Sequence, residues 1–424
     1  MRDLHLPGRS PVYAPNACIA TSHPLASQAG LEMMKSGGNA IDAAITACAV
    51  MCVVEPHMTG IGGDCFALVA PKGASKPFAL NGSGKAPMAA TLDWFKQNGV
   101  TEFKGTGDPH TVTIPGAIAA WAALLERFGS KTFAEVLAPA IAYAENGYPI
   151  APRVGADWQD EVERLAAHPA AKAAMLVDGK APAIGSMHHQ PKLAATMRKI
   201  AEHGRDGFYK GPVAEDIVTH LQSLGGLHTM EDFAAASADW VEPISANYKG
   251  YDIHECPPNG QGICALMIIK ILEKHDIASL SEADRVHLIA EATKLGYATR
   301  DRYISDPTKV AVPVDWLLSD EHISQLNAMI DMKKAGAFAE SDFPVHKDTI
   351  YLSCVDADGT SISFINSLFS GFGSAIMAPE SGVMLHNRGQ SFNLIEGHVN
   401  AIAPGKRPMH TIIPGMLSKD GKIL

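Results

Sequence analysis

A chain of 424 residues with 46 % hydrophobic and 19 % charged residues, 38 glycines and 27 prolines has the material for a large core and many loops. Its formal net charge of −10 argues against a surface built to neutralise phosphates, so nucleic acid is not an expected partner. The seven cysteines (Cys18, Cys48, Cys52, Cys65, Cys256, Cys264, Cys354) are an odd set in apolar company without zinc-knuckle or redox spacing, and are expected to be buried, reduced thiols.

In chain order, residues 1–20 contain Arg2, Asp3, Arg9, Pro7, Pro11 and Pro15 and no continuous apolar stretch, which predicts neither a signal peptide nor a membrane anchor. The longest apolar run, 43–54, is short of the ~20 residues that span a bilayer. A cytoplasmic location is the resulting expectation. Leu25, Ala29, Leu31, Met33 and Met34 recur at helical spacing and predict a helix over 24–35, stopped by Gly37-Gly38. Asn39 then caps a second helix over 40–54, apolar nearly all round apart from Asp42 and therefore a core helix. The glycine loop Gly60-Ile61-Gly62-Gly63 feeds a strand over 65–70. That order is the reverse of a nucleotide site, where strand precedes loop and a helix N-terminus receives the phosphate.

Further helices are predicted over 117–127, 134–145, 191–202, 212–224, 262–274 and 283–301. The last of these carries His287, Glu291, Lys294 and Arg300, whose mixed signs at spacings of three and four predict a solvated face with local ion pairs. The pair His188-His189 is expected at the surface. Residues 334–347 lack periodicity and predict an exposed loop, followed by strands over 349–355 and 360–366 joined through the turn residues Asp356-Ala357-Asp358-Gly359. Helices in front and strands behind suggest sheets covered by helices in one intertwined unit.

HExxH, GxSxG and GxxxxGK[ST] are all absent from the sequence. One residue stands apart: Thr349, at the junction of the loop and a strand. A β-branched residue opening a strand explains it without chemistry. A cut between Asp348 and Thr349 would explain it with chemistry, because the new α-amine would lie beside the Thr hydroxyl and act as its general base. Such an amine has a pKa of about 7.7 to 8, so a useful fraction is neutral near physiological pH.

The blocks Gly37-Gly38-Asn39-Ala40-Ile41-Asp42-Ala43-Ala44, Glu55-Pro56 with Gly60-Ile61-Gly62-Gly63, and Val112-Thr113-Ile114-Pro115-Gly116 follow one another in an order that resembles the γ-glutamyltransferase family. So do Gly207-Phe208-Tyr209-Lys210-Gly211, Glu291-Ala292-Thr293-Lys294 and Lys406-Arg407-Pro408. The resemblance implies an α+β fold, the αββα four-layer sandwich of N-terminal-nucleophile hydrolases. It also implies self-cleavage into a large segment, 1–348, and a small, strand-rich one from 349. Asp348 and Thr349 would be the processing site and Thr349 the nucleophile. Ser367 falls where the family orients that nucleophile with a hydroxyl.

The same resemblance shows where this chain departs from relatives that bind glutathione. The position of their carboxylate-binding arginine falls on Ser83, their paired serines on His410 and Thr411, their ammonium-binding aspartate on Ser391 and their asparagine on Phe369. The clamp for an amino acid is dismantled. Arg388, in Asn387-Arg388-Gly389, is a new candidate carboxylate anchor, with a structural ion pair as its plain alternative. Similar strings occur in oxamate amidohydrolase and acylase-like members. The family's small subunit continues past a segment like 418–422, through a glycine pair that forms the oxyanion hole, so a truncated chain or one lacking oxyanion donors is expected.

These expectations combine into a self-cleaving threonine amidohydrolase acting on the amide of a small carboxylated acyl group, without metal or cofactor. Its partners would be a small-molecule amide and its own cleaved fragment, with a dimer of such pairs as a further possibility. A γ-glutamyltransferase or glutathione hydrolase is the rival of the same fold, and an uncut, non-catalytic paralogue the rival of another class.

Overall fold

The computed structural model describes residues 12–337 and 349–424, so Asp348 and most of the expected loop lie outside the described residues. Helix α1 (Pro24–Lys35) has Pro24 in its first turn and ends at Ser36 before Gly37. Helix α2 (Ala40–Val54) starts at a capping box, in which the Asn39 side chain accepts from the Ile41 and Asp42 amides and Asp42 answers the Asn39 amide. All 15 of its residues are buried. A helix with no polar face must lie between other layers, and α2 packs against α1 and against the sheet below it.

Six strands make the first sheet: β1 (Cys18–Ala20), β2 (Asp64–Ala70), β3 (Phe78–Gly82), β6 (Asp239–Val241), β9 (Ile350–Val355) and β10 (Ser361–Ser367), in the order β1-β9-β10-β2-β3-β6. A short separate ladder pairs β4 (Tyr148–Pro149) with β5 (Met187–His188). The second sheet has the order β12-β11-β8-β7, formed by β7 (Ile244–Tyr248), β8 (Tyr251–Glu255), β11 (Gly415–Lys419) and β12 (Lys422–Ile423).

Side-chain alternation sorts the first sheet into two faces. Cys65, Ala67, Val69, Leu80, Ile350, Leu352, Cys354, Ile362 and Phe364 join the core beneath α1 and α2, with α4 (Ala117–Phe128) and α5 (Phe133–Asn146) in the same helical layer, while α3 (Leu92–Gln97) packs Phe95 in a separate cluster with Phe392 and Ile402. Phe66, Leu68, Ala70, Ala79 and Ile365 point the other way, onto Cys256, Ile412 and Met416 of the second sheet's side. Beyond that sheet, Ile263, Met267 and Ile271 of helix Gly262–Glu273 pack with Ala292 and Leu295 of helix Glu282–Tyr303. The layers therefore run helix, sheet, sheet, helix, as the αββα expectation requires.

Three local expectations are corrected. Glu291 and Arg300 are buried rather than solvated, because partners distant in sequence cover them: the Gly336 amide donates to Glu291 at 2.9 Å and Arg300 donates to Gln261 at 2.8 Å. His188 is buried too, its ring edge-on to Trp158 and Tyr148 at centroid distances of 5.1 and 5.8 Å, while His189 is exposed. Cys18 is exposed and the other six thiols are buried. Among the described residues no helix is long and apolar enough to cross a membrane.

Candidate active site

The glycine loop is shaped by what lies against it. A Cβ on Gly63 would come 2.3 Å from the Ser367 carbonyl oxygen, and one on Gly62 2.2 Å from that of Met384. Asn366 fastens the same loop to β10 by donating to Thr59 at 2.9 Å and to the Gly60 carbonyl at 3.1 Å. The loop's inner space is thus filled by protein, and its glycines serve close backbone approach.

This packing brings the ends of several strands into line. Ser367 pairs with Asp64 across β10 and β2. The last paired residues on either side are Asn366 with Ile350 and Cys65 with Gly82, so Thr349 and Ser83 are the next residues in register. Thr349, Ser367, Asp64 and Ser83 form a row on the face that looks into the space between the sheets. The Thr349 Oγ1 and Ser367 Oγ atoms are 2.9 Å apart.

From Ser367 the contacts continue through the turn that follows it. The Phe369 amide donates to Ser367 Oγ at 2.9 Å, and Phe369 holds a φ of +82°, a conformation that a bulky residue keeps only when its surroundings impose it. Its ring lies 4.1 Å from the Arg388 guanidinium carbon. Asn387 ties the two segments together, donating to Ser370 Oγ at 3.0 Å and accepting from the Ser370 amide at 3.2 Å. Arg388 is 1 % exposed. Its Nη1 donates to Thr411 Oγ1 at 2.8 Å, whereas Nε and Nη2 have no hydrogen-bond partner among the described residues.

Burial lowers the Arg388 pKa to about 9, with Asp64 acting in the opposite direction. Burial would raise the Asp64 carboxyl, but His386, the His410 hydrogen bond and Arg388 hold it down to about 2. The Asp64 Oδ1 accepts the Gly84 and Gly116 amides at 2.9 and 3.2 Å. Its Oδ2 lies 3.1 Å from His410 Nε2 and 3.5 Å from His386 Nδ1. Burial, then Arg388, pushes the His410 pKa down to about 3, and burial lowers His386 as well.

Of the residues singled out in the sequence, Thr349, Ser367, Phe369, Arg388 and Thr411 thus form one chain of contacts. His410 joins it through Asp64 and stands edge-on to Phe66, the ring centroids 4.7 Å apart. Ser83 closes the row, its hydroxyl accepting from Asn259 at 3.1 Å. Ser391 ends the short turn that Arg388 begins and is buried, its hydroxyl without a partner among the described residues. Asp348 lies outside the described residues. Sequence reasoning missed Asp64, His386 and Asn387. Asp64 carried a signal: a charge heading an otherwise apolar strand must find partners when buried. Among the described residues no group of three or more His, Cys, Asp or Glu side chains could hold a metal ion.

Comparison with known proteins agrees with this architecture. The sequence profile of gamma-glutamyltranspeptidase matches residues 26–424. The chain is 38 % identical over 406 residues to the glutathione hydrolase-like YwrD proenzyme of Bacillus subtilis, covering 95 % of this chain and 76 % of that protein. It is 35 % identical over 408 residues to the oxamate amidohydrolase proenzyme of Klebsiella pneumoniae, with the same coverage of 95 % and 76 %. The crystal structure of cephalosporin acylase from Bacillus halodurans superposes with a TM-score of 0.91 at 39 % identity, over 100 % of this chain and 78 % of that one. The chain belongs to the gamma-glutamyltranspeptidase family and is an amide-acting enzyme of the N-terminal-nucleophile type.

Proposed function

We propose that this protein cuts itself between Asp348 and Thr349 and then hydrolyses the amide of a small carboxylated acyl group through an acyl-enzyme on Thr349. The observation that carries the substrate class is Arg388: a buried guanidinium with two N–H-bearing nitrogens unpartnered among the described residues, linked by contacts to Thr349. A buried cation of this kind calls for an anion, and a carboxylate matches the guanidinium fork. Ser83, Ser391 and Phe369 are unsuited to clamping an α-ammonium and its carboxylate as the glutathione-binding relatives do. Relatives named for oxamate and cephalosporin, beside those named for glutathione, support a reading other than a γ-glutamyl donor.

In this mechanism the α-amine of Thr349 takes the Oγ1 proton as Oγ1 attacks the amide carbonyl. The resulting ammonium returns that proton to the departing amine as the C–N bond breaks, leaving an ester on Thr349. Water, deprotonated by the same amine, attacks the ester and releases the carboxylic acid; an amine in place of water would give transfer. Ser367 keeps Oγ1 in line. The two fragments, 1–348 and 349 onward, remain together as a heterodimer.

The test is the intact mass of the denatured protein, followed by turnover of glutaryl, pentanoyl and γ-glutamyl p-nitroanilides. We expect two fragments parting at Thr349, absent in Thr349→Ala, and preference for the glutaryl substrate. A single uncut chain would leave a non-catalytic paralogue. Fastest turnover of the γ-glutamyl compound would replace the reading with a glutathione-type hydrolase, and no preference for glutaryl over pentanoyl would remove Arg388 as anchor.

A further inference from the structure

Asp64 has no step in the acyl transfer, yet it sits opposite Ser367 and is fully buried. Both of its oxygens are in use. Oδ1 is held by the amides of Gly84 and Gly116, which fixes the carboxylate to the rim of the first sheet. Oδ2 faces two imidazoles that belong to separate segments. His386 lies two residues before Arg388, and His410 immediately precedes Thr411, the hydroxyl that receives Arg388 Nη1 at 2.8 Å. The His410 hydrogen bond at 3.1 Å therefore tethers the segment that carries the guanidinium's acceptor, whereas His386 Nδ1, 3.5 Å from the carboxylate, makes no hydrogen bond among the described residues.

We propose that Asp64 is a positioning residue, which fixes the Arg388 anion site in register with Thr349 through His410. The inference rests on the reading of Arg388 as carboxylate anchor and Thr349 as nucleophile. The remaining groups around the carboxylate fit the role. His410 Nδ1 takes the Ile412 amide at 3.4 Å, which leaves Nε2–H to donate to Asp64. His386 Nε2–H donates to the Thr113 carbonyl at 2.9 Å, so the neutral ring turns an unprotonated Nδ1 towards Asp64 and takes no part in the tether. With both imidazoles inclined to neutrality by burial, Asp64 is the negative charge facing the Arg388 charge from inside the protein. Together they leave the pocket close to neutral, so a substrate carboxylate meets an oriented donor fork without an excess of positive charge.

A residue that merely glued the loops together would affect every substrate alike. The experiment compares glutaryl p-nitroanilide with pentanoyl p-nitroanilide, the same chain without its carboxylate, on the cleaved enzyme. Asp64→Asn keeps the amide-accepting oxygen and removes the charge. We expect it to raise KM for the glutaryl compound about ten- to a hundredfold, in line with loss of charge-assisted hydrogen bonds. Its kcat should change by no more than a few fold, and KM for the pentanoyl compound should stay constant. His410→Gln cuts the tether and should give a smaller rise of the same selective kind. Combined with Arg388→Met, Asp64→Asn should add nothing.

Equal loss on both substrates, or additivity with Arg388→Met, overturns the positioning role. If Asp64→Asn does not fold, retained discrimination in His410→Gln overturns it as well. If Arg388→Met itself leaves discrimination intact, the anchor reading fails and the proposal falls with it, which is a separate result from failure of Asp64→Asn alone.

Discussion

The space between the two sheets is apolar along the middle of β2 and polar at the end where β2 and β10 meet the loops, although the same strands run through both regions. In the apolar part Phe66, Leu68 and Ile365 meet Ile412 and Met416. In the polar part Thr349, Ser367, Asp64 and Ser83 stand in one row, with Arg388, His386 and His410 behind them. Apolar burial is non-directional, and volume is most of what it specifies. A buried carboxylate and guanidinium are tolerated only when every neighbour is placed, so the polar end is where geometry is most tightly specified. It lies where ladders stop and loops close over, because only there can backbone amides such as those of Gly84 and Gly116 turn inward to meet a side chain.

Substitutions in the two regions should separate stability from chemistry. Thr349→Ala should abolish cleavage altogether, read as a single intact mass. Leu68→Ala in the apolar region should cost about 2–5 kcal/mol of stability by denaturant unfolding, with KM for the glutaryl substrate unchanged. Arg388→Met should do the reverse in kind, raising that KM about tenfold or more while KM for the pentanoyl compound holds. Ser367→Ala removes the hydroxyl beside Thr349 and should slow cleavage by up to about tenfold, the worth of one net hydrogen bond, with Ser367→Thr restoring it. Rates of fragment appearance decide between them.

The smallest effect belongs to a third buried place, Glu255 on β8, which packs on Gly262 at the start of a helix. Burial raises its pKa from 4.5 to about 8, and Oε2 has no hydrogen-bond partner among the described residues. Because the folded-state pKa lies above the unfolded one, its contribution is complete below about pH 4.5 and is lost as the pH rises towards 8. Tm should therefore fall over that window, and Glu255→Gln should flatten the fall. Equal slopes in both proteins would remove Glu255 as its source.

Helices α1 and α2 were readable to the residue, since Asn39, Gly37 and continuous apolar character mark their ends and their depth. The strands expected over 65–70 and 349–355 differ from the observed β2 and β9 by one residue each, and those residues are Asp64 and Thr349. Neither strand propensity nor alternation distinguishes the last rung of a ladder from the first residue of a site. The second sheet went unseen because its rungs join distant segments, Glu255 with Gly415 for example, and its strands are short. Arg388, Ser391, His410 and Thr411 were reached through resemblance, whereas the partnership of His386 and His410 with Asp64 has no local trace. It exists only once residues 64, 386 and 410 have been folded together.

The order β1-β9-β10-β2-β3-β6 has a consequence for the life of the molecule. Strands β9 and β10, from the segment after Thr349, are interleaved between β1 and β2 from the segment before it. A break at residue 348 would release a chain end without releasing a piece, because ladders on both sides would still grip the inserted hairpin. Assembly would then have to precede any such scission, and the severed halves would be expected to outlast dilution. Supplying 1–348 and 349–424 as separate chains would ask the hairpin to enter a sheet whose neighbours have had no chance to form around it.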